Sequence, residues 1–113
     1  MSDTKFAQYD PAVETAMNSI MGEISGVEFG RMFGYPGYKV NGKLAVGLHQ
    51  QGVVAKVGRD RAQALIGQDG LRPFEPQPGR VWRDWVLVSE TSPGNYQKHK
   101  ALFEEATRYI ASA

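Results

Sequence analysis

RMFGYPGYKVNGK, residues 31–43, decides the fold of this chain because it alternates turn residues with short apolar segments. The segment 34–37 begins and ends with glycine and contains Tyr and Pro, a composition typical of a turn. The pair Asn41-Gly42 is the strongest two-residue hairpin signal, since both central positions of a type I′ turn need positive φ. Residues 38–40 then form a short strand between two turns. We therefore assign four residues to structural turns: Gly34, Gly37, Asn41 and Gly42.

Residues 37–43 also satisfy the pattern G-x-x-x-x-G-K of phosphate-binding loops. Two facts oppose that interpretation. Leu44 stands where such a loop needs the magnesium-binding hydroxyl of Ser or Thr. The loop must also lead from a strand into a helix, whereas these glycines flank a strand and a hairpin turn. We favour a structural role, in which glycines supply unusual backbone angles and three aromatics supply buried area: Phe33, Tyr35 and Tyr38.

Alternating apolar residues extend a sheet outward from this stretch in both directions. Residues 27–33 alternate with period two, as a β-strand does, and residues 43–49 do the same. A Gln-Gly pair at 51–52 then turns the chain into a further apolar segment, 53–57. Four consecutive strands joined by short turns form an antiparallel meander. The predicted strands are 27–33, 38–40, 43–49 and 53–57.

Helical patterns flank this meander. Asp10 can cap a helix and Pro11 is tolerated at the first helical position, so helix 11–24 begins there. Its apolar residues recur at helical spacing and form one stripe. The same reasoning predicts a short helix at 60–67 and a last helix at 95–111.

The segment 71–80 carries three prolines and one glycine, and we expect it to be a long connection without regular structure. Residues 82–89 form the final strand, apolar on both faces, which is typical of a strand covered on both sides. The predicted order is therefore α-β4-α-β-α. It indicates the α+β class: a two-layer sandwich of one mostly antiparallel five-stranded sheet with helices packed on it.

Composition narrows the class of protein. A chain of 113 residues suits a single domain, 1–113, of which we expect residues 1–9 to be flexible. A net charge of +1 makes nucleic acid an unfavoured partner, and we see neither a signal peptide nor a stretch long enough to span a membrane. The absence of cysteine excludes thiolate chemistry and disulfides, and we expect a cytoplasmic protein.

The order of short motifs along residues 12–111 resembles the N-terminal domain family of the bacterial competence regulator TfoX, also called Sxy. The resemblance implies a two-layer α+β fold similar to that of type III secretion chaperones, and a role in regulation or protein interaction. It implies no catalytic residue. The motifs that carry it are Arg31-Met32-Phe33-Gly34, Gly37-Tyr38, Asn41-Gly42-Lys43, residues 53–57 and 59–65, Pro73-Phe74, Gly79-Arg80, residues 85–88, and Ala106 with Tyr109.

Basic and aromatic residues around the second helix and the proline-rich segment are the candidates for binding. Neighbouring strands could bring the cations together to hold an anionic ligand or an acidic partner. Alternatively they are solvated charges paired with nearby carboxylates, among them Asp60, Asp69, Glu75 and Asp84. Phe74 either contacts a partner or only pins its segment to the core. The candidate ligand- or partner-binding residues are Lys56, Arg59, Arg80, Arg83, Phe74 and Trp82.

The two histidines do not form a recognisable catalytic or metal site. His49 ends a strand and is expected at its rim, and His99 falls on the stripe of the last helix. Glu90 is one of several carboxylates that could reach a histidine, but no spacing selects it. We predict no catalytic residue, no metal and no cofactor.

The interpretation favoured by the sequence is a non-enzymatic regulatory or protein-interaction domain with a protein partner or a second copy of itself, as in a homodimer. One alternative is a small anionic-ligand-binding protein that uses Lys56, Arg59 and Arg80 beside Phe74. A further alternative is an enzyme without a recognisable motif, which would need a polar pocket and a strongly shifted acid or base.

Overall fold

The computed structural model describes residues 9–32, 34–68 and 70–112. The prediction of a flexible N-terminus covered residues 1–9, and residues 1–8 of that range lie outside the described residues. Helices and strands follow one another as expected through the first half of the chain. The elements are α1 (Pro11–Met21), β1 (Glu28–Met32), β2 (Tyr35–Val40), β3 (Lys43–His49), β4 (Gly52–Lys56), α2 (Arg59–Leu65), β5 (Leu71–Gln77), β6 (Arg80–Val88), a 3₁₀-helix (Pro93–His99) and α3 (Lys100–Ser112).

One antiparallel sheet of six strands, in the order β1-β2-β3-β4-β6-β5, forms one layer. The helices form the other layer, so the α+β class and the meander of the first four strands are confirmed. The predicted number of five strands is wrong, and so is the predicted order after the second helix. The additional strand is β5, which lies in the segment expected to have no regular structure.

The position of β5 explains why proline is tolerated in it. Within the described part of the chain this strand is at the edge of the sheet and pairs only with β6, so a residue without an N–H can face outward without breaking a ladder. Pro73 lies opposite Val86, and the register shifts on both sides of Phe74. Prolines and irregular register also discourage pairing of an exposed edge with another chain.

The central stretch folds into two hairpins. Met32 pairs with Tyr35, and Gly34 between them has φ +84°. Phe33 lies outside the described residues. At the next turn Asn41 has φ +53° and Gly42 has φ +79°, as the expected type I′ hairpin requires.

The assignment of Gly37 to a turn is wrong. Gly37 lies within β2, where it pairs with Gly30 of β1 and with Gly47 of β3. Gly37 is therefore the middle one of three glycines that are paired across β1, β2 and β3. Of the two glycines in the segment 34–37, only Gly34 belongs to the turn.

All three predicted helices differ from their predicted bounds, and the short one, expected at 60–67, is α2 at Arg59–Leu65. The Asp10 carboxylate accepts a hydrogen bond from the Ala12 N–H at 2.9 Å, so α1 begins as expected, but it ends at Met21 instead of residue 24. The predicted helix 95–111 is divided into a 3₁₀-helix and α3, with His99 at the junction.

The main core lies between the sheet and the helices, and we call it the helix-side core. Buried Phe103 of α3, Met17 of α1 and Tyr38 of β2 meet there. Burial of one such side chain stabilises the fold by about 2–3 kcal/mol. A second cluster lies on the opposite face of the sheet, and none of its described members belongs to a helix: Leu44, Val54, Phe74, Trp85 and Leu87. No helix in the described part of the chain is long and apolar enough to cross a bilayer.

Candidate binding groove on the helix-free face of the sheet

A groove of about 440 Å³ runs across the sheet face that the described helices leave uncovered. Most of its lining is aromatic or aliphatic, and strands β2 to β6 all contribute to it. We call it the aromatic groove. It is lined by Tyr35, Pro36, Lys43, Leu44, Gly47, Leu48, His49, Val54, Lys56, Phe74, Pro76, Trp82 and Trp85.

Strand alternation positions the groove residues of the central strands. In β4, Val53 and Ala55 belong to the helix-side core, whereas Val54 and Lys56 line the groove. The neighbouring strand β3 follows the same pattern, since Gly47 lies directly opposite Val54. Glycine at this position leaves the groove floor open, because no side chain rises from it.

The irregular register between β5 and β6 positions the aromatic end of the groove. Trp82 and Trp85 are three residues apart, a spacing that would place them on opposite faces of a regular strand. The register shifts between Pro73 and Gln77, and Phe74 lies opposite Trp82. A β-bulge re-aims side chains in this way, so both tryptophans contact Phe74 on one face.

Five aromatic rings form a continuous path through the groove. Tyr35 stacks on His49 with ring centroids 5.3 Å apart, and the His49 and Phe74 centroids are 5.0 Å apart. Phe74 then meets Trp82 edge-on at 5.2 Å, and Trp82 lies 5.9 Å from Trp85. Such tilted and edge-to-face pairs are the favoured arrangements of aromatic side chains. The rings therefore hold one another in place before any ligand arrives.

His49 is a neutral member of this path. Burial lowers the pKa of its imidazole below the ordinary value of 6.5, so the ring is uncharged at pH 7. Its Nδ1 accepts a long hydrogen bond, 3.4 Å, from the Gln51 N–H. The remaining proton is therefore on Nε2, and the ring offers a donor and no charge to the groove.

Among the described residues, the two charged side chains that line the groove are lysines at the same end. Lys43 begins β3 and Lys56 ends the antiparallel strand β4. The Lys56 ammonium lies 6.0 Å from the Trp85 ring centroid, a cation–π distance. His49 ends β3 six residues beyond Lys43, which at about 3.3 Å per residue separates them by roughly 20 Å. The groove is therefore elongated, with positive charge at one end only.

Three of the six predicted binding residues line the groove: Lys56, Phe74 and Trp82. Phe74 is 3% exposed, so it pins β5 to the sheet, and it also lines the groove.

The other three predicted residues are exposed and lie outside the groove lining. Arg59 begins α2, and Arg83 lies next to Asp84, whose carbonyl accepts hydrogen bonds from the two residues before Arg59. Arg80 begins β6 opposite Gln77, five residues from Trp85 and about 15 Å along a strand. The structure therefore does not gather all four predicted cations at one place.

The alternative prediction was that the four candidate cations are paired with nearby carboxylates, and the described residues do not show such pairs. Within 4.0 Å the described part of the chain has no ion pair that involves Lys56, Arg59, Arg80 or Arg83. Asp69 lies outside the described residues.

Sequence reasoning missed Tyr35, Lys43 and His49 as groove residues. His49 was detectable, because it alternates with Leu48 and Val46 of the helix-side core and so belongs to the opposite face. Tyr35 was not, since the sequence placed it inside a turn at 34–37, whereas it is the first residue of β2.

A second polar cluster lies on the helix side, at the junction of β6 with the 3₁₀-helix. His99, only 7% exposed, has its Nε2 2.5 Å from Oε2 of Glu90, and the Lys98 ammonium lies 3.6 Å from the same oxygen. The hydrogen bond from His99 lowers the pKa of Glu90. The Ser89 hydroxyl donates to the Gln51 carbonyl at 2.8 Å instead of joining this pair. Glu90 and His99 thus form a hydrogen-bonded pair at this junction.

The described residues contain no group of three His, Cys, Asp or Glu side chains that could hold a metal ion. Compared with protein-family models, with curated proteins and with solved structures, the chain matches none. The class is therefore defined by the fold and the groove alone: a two-layer α+β domain with an aromatic groove on the open face of its sheet.

Proposed function

We propose that this chain is a non-enzymatic interaction domain that binds an apolar segment of a partner protein in the aromatic groove. The observation that carries the proposal is the exposed ring of Trp82 at the mouth of an otherwise well-packed aromatic cluster. Trp82 is 43% exposed, whereas Phe74 and Trp85 beneath it are 3% and 8% exposed. An exposed tryptophan beside a rigid apolar floor is typical of the residues that dominate binding energy at protein interfaces.

The surface left open on Trp82 is large enough to matter. A tryptophan offers at most about 250 Å² of surface, so 43% exposure leaves about 100 Å² to be covered. At roughly 25 cal/mol per Å², covering it contributes about 2.5 kcal/mol to binding. The ring contacts with Phe74 and Trp85 hold the indole in place, so little side-chain entropy is lost when a partner docks.

The resemblance to TfoX N-terminal domains supports a regulatory role for the interaction, and a cytoplasmic location stays a prediction. A second copy of the chain is the other protein that could cover the groove. The molar mass in solution, measured by light scattering, distinguishes the two cases, because a dimer formed through the groove dissociates when Trp82 is replaced by Lys.

A second candidate function is the binding of a small anionic molecule. A volume of 440 Å³ is within the range of small-molecule sites, and Lys43 and Lys56 would hold its charge. The basic residues differ from those expected from sequence, since Arg59 and Arg80 do not line the groove. Native mass spectrometry of the purified protein checks whether such a molecule is retained.

Selection of peptides from a random library displayed on phage tests the proposed function. We expect the wild-type protein to enrich peptides that bind it in the micromolar range. The same peptides should bind the Trp82→Ala variant at least tenfold more weakly. Phe29→Ala is the matched control. Phe29 is also exposed, at 52%, but it lies against Tyr38 on the helix side of the sheet.

Circular dichroism first establishes that both variants are folded. Selected peptides that bind wild type and Trp82→Ala equally well would contradict the proposal, as would a selection that enriches no sequence.

A further inference from the structure

The polar side chains of the described residues that line the aromatic groove are nearly all hydrogen-bond donors. The lysine ammoniums, the indole N–H groups and the neutral imidazole of His49 donate, and the Tyr35 hydroxyl can donate or accept. No carboxylate, side-chain amide or aliphatic hydroxyl is present among the described lining residues. Neither Trp82 nor Trp85 donates a hydrogen bond to another described residue. The groove therefore suits a ligand that has many acceptors and few donors.

A proline-rich segment has this imbalance. Proline lacks an N–H, and a polyproline II helix makes no internal hydrogen bonds, so its carbonyl oxygens remain free to accept. Grooves lined by aromatic side chains are the known complement of such segments. An extended strand or a helix fits less well, because the strand brings unpaired N–H groups and the helix brings no free carbonyls along its length.

The length of the groove fits the same ligand. Lys43 and His49 are separated by roughly 20 Å along β3, and a polyproline II helix rises about 3.1 Å per residue. Six or seven residues therefore span the groove from the lysine end to the Tyr35–His49 end. Both groove cations, Lys43 and Lys56, then lie beside one end of the segment, where a carboxylate would be favoured.

We propose that the occupant of the aromatic groove is a proline-rich segment of six or seven residues in the polyproline II conformation, with an acidic residue at the end that meets Lys43 and Lys56. This inference rests on the proposed function, since it names the chemistry of the partner segment. Trp82 and Tyr35 contact the proline rings, and the indole N–H donates to a carbonyl of the segment.

Titration of the purified domain with capped synthetic heptapeptides tests the inference. The probes are Glu-Pro-Leu-Pro-Pro-Leu-Pro and its reversed sequence, because a polyproline II helix presents similar surfaces in both directions. In two control peptides Lys replaces Glu, or Gly replaces every Pro. Both tryptophans of the chain line the groove, so intrinsic fluorescence reports binding directly, and calorimetry confirms it.

We expect at least one acidic proline-rich peptide to bind, with at least a fivefold loss of affinity when Glu is replaced by Lys and a larger loss when Pro is replaced by Gly. Lys56→Gln and Lys43→Gln should each lower the affinity for the acidic peptide several-fold. Neither should lower the affinity for the Lys-containing peptide. Arg80→Gln is the matched control, since Arg80 is exposed and outside the groove lining. Its affinity should equal that of wild type.

Three results of the peptide titration would overturn the inference. The first is equal binding of the glycine and proline peptides, and the second is equal binding of the Glu and Lys peptides. The third is binding of decanoate, a simple alkyl carboxylate, together with no binding of either acidic peptide, which would support the small-molecule function instead. A phage selection that depends on Trp82 but returns peptides without proline would refute this inference and leave the proposed function intact.

Discussion

Gly52, at the start of β4, shows how a residue without a side chain permits the close approach of two strands. Its φ is +147°, and a Cβ atom placed there would overlap the carbonyl oxygen of Val88 in β6 and lie 3.2 Å from the Ser89 hydroxyl. The obstacle is backbone, which cannot rotate away. We expect Gly52→Ala to lower the free energy of unfolding by more than about 2 kcal/mol, measured by urea denaturation.

Gly67→Ala is the control for this effect. Gly67 also has a positive φ, +99°, but a Cβ atom there meets no atom of the described residues within 4 Å. Its cost should be limited to backbone strain, about 1 kcal/mol. If the two variants lose the same stability, the close approach of β4 and β6 at Gly52 is not a constraint.

The Glu90–His99 pair gives a residue-scale prediction for pH. The hydrogen bond from His99 lowers the pKa of folded Glu90 below its ordinary value near 4.5, so the ionised carboxylate stabilises the fold above that pH. This contribution disappears as pH falls through the lowered pKa. Between about pH 5 and pH 3 we therefore expect wild type to lose stability more steeply than Glu90→Gln, as followed by urea denaturation.

Glu28→Gln serves as the comparison, because Glu28 is an exposed carboxyl in β1. Its stability should depend on pH as steeply as that of wild type. Equal slopes for wild type and Glu90→Gln would mean that the pair does not contribute to the acid sensitivity of the fold.

At the scale of elements, the β2–β3 hairpin depends on a turn that few residue pairs can form. Asn41 and Gly42 both have positive φ, and Val40 pairs with Lys43 across the turn. Replacing both turn residues by Ala forces two side chains into a disfavoured region. We expect a loss of about 1 kcal/mol or more in the free energy of unfolding, visible as a lower Tm.

Asn41→Gly separates the turn from other effects, because glycine also adopts positive φ. It should leave the Tm nearly unchanged. An unchanged Tm in the double Ala variant would show instead that the hairpin does not need a type I′ turn.

The strand β5 shows what element-scale reasoning from sequence omits. Proline was treated as evidence against regular structure, but that rule applies to a strand with partners on both sides. Leu71 and Phe74 are buried and anchor β5 to β6, while its outer edge has no partner strand among the described residues. Whether a segment lies at an edge is a property of the whole sheet, and the local sequence does not specify it.

At the scale of the whole molecule, the sheet separates two apolar clusters, one on each of its faces, that we expect to serve stability and binding respectively. The helix-side core is closed, whereas the cluster beneath the aromatic groove is open at Trp82. Stability and binding should therefore respond to different residues. We expect Phe74→Ala to lower the free energy of unfolding by about 3 kcal/mol and Trp82→Ala by roughly half as much or less.

Urea denaturation of both variants measures this difference. Peptide titration of the same two variants should give the reverse order for binding. A cost for Trp82→Ala as large as that for Phe74→Ala would place Trp82 in the core and remove the basis for an open groove.

The sequence by itself determined the local features of this protein. The start of α1, the type I′ turn at Asn41-Gly42, the four-strand meander and the α+β class depend on residues within a few positions of one another, whose preferences act locally. Phe74 was recognised as a candidate because it lies in a long proline-rich segment, and Trp82 because it follows closely in sequence and aromatic residues with arginine are favoured where partners dock.

Only the tertiary structure decided which candidates share a site. Tyr35, His49, Lys56 and Trp82 come from four different strands, and they meet because of strand order, register and the irregular pairing of β5 with β6. The same pairing leaves Arg80 about 15 Å along the strand from Trp85. Register is set by the packing of the whole sheet, and a shift of one residue turns every side chain of a strand to the other face. For this reason local patterns predicted the strands of the meander but not the groove.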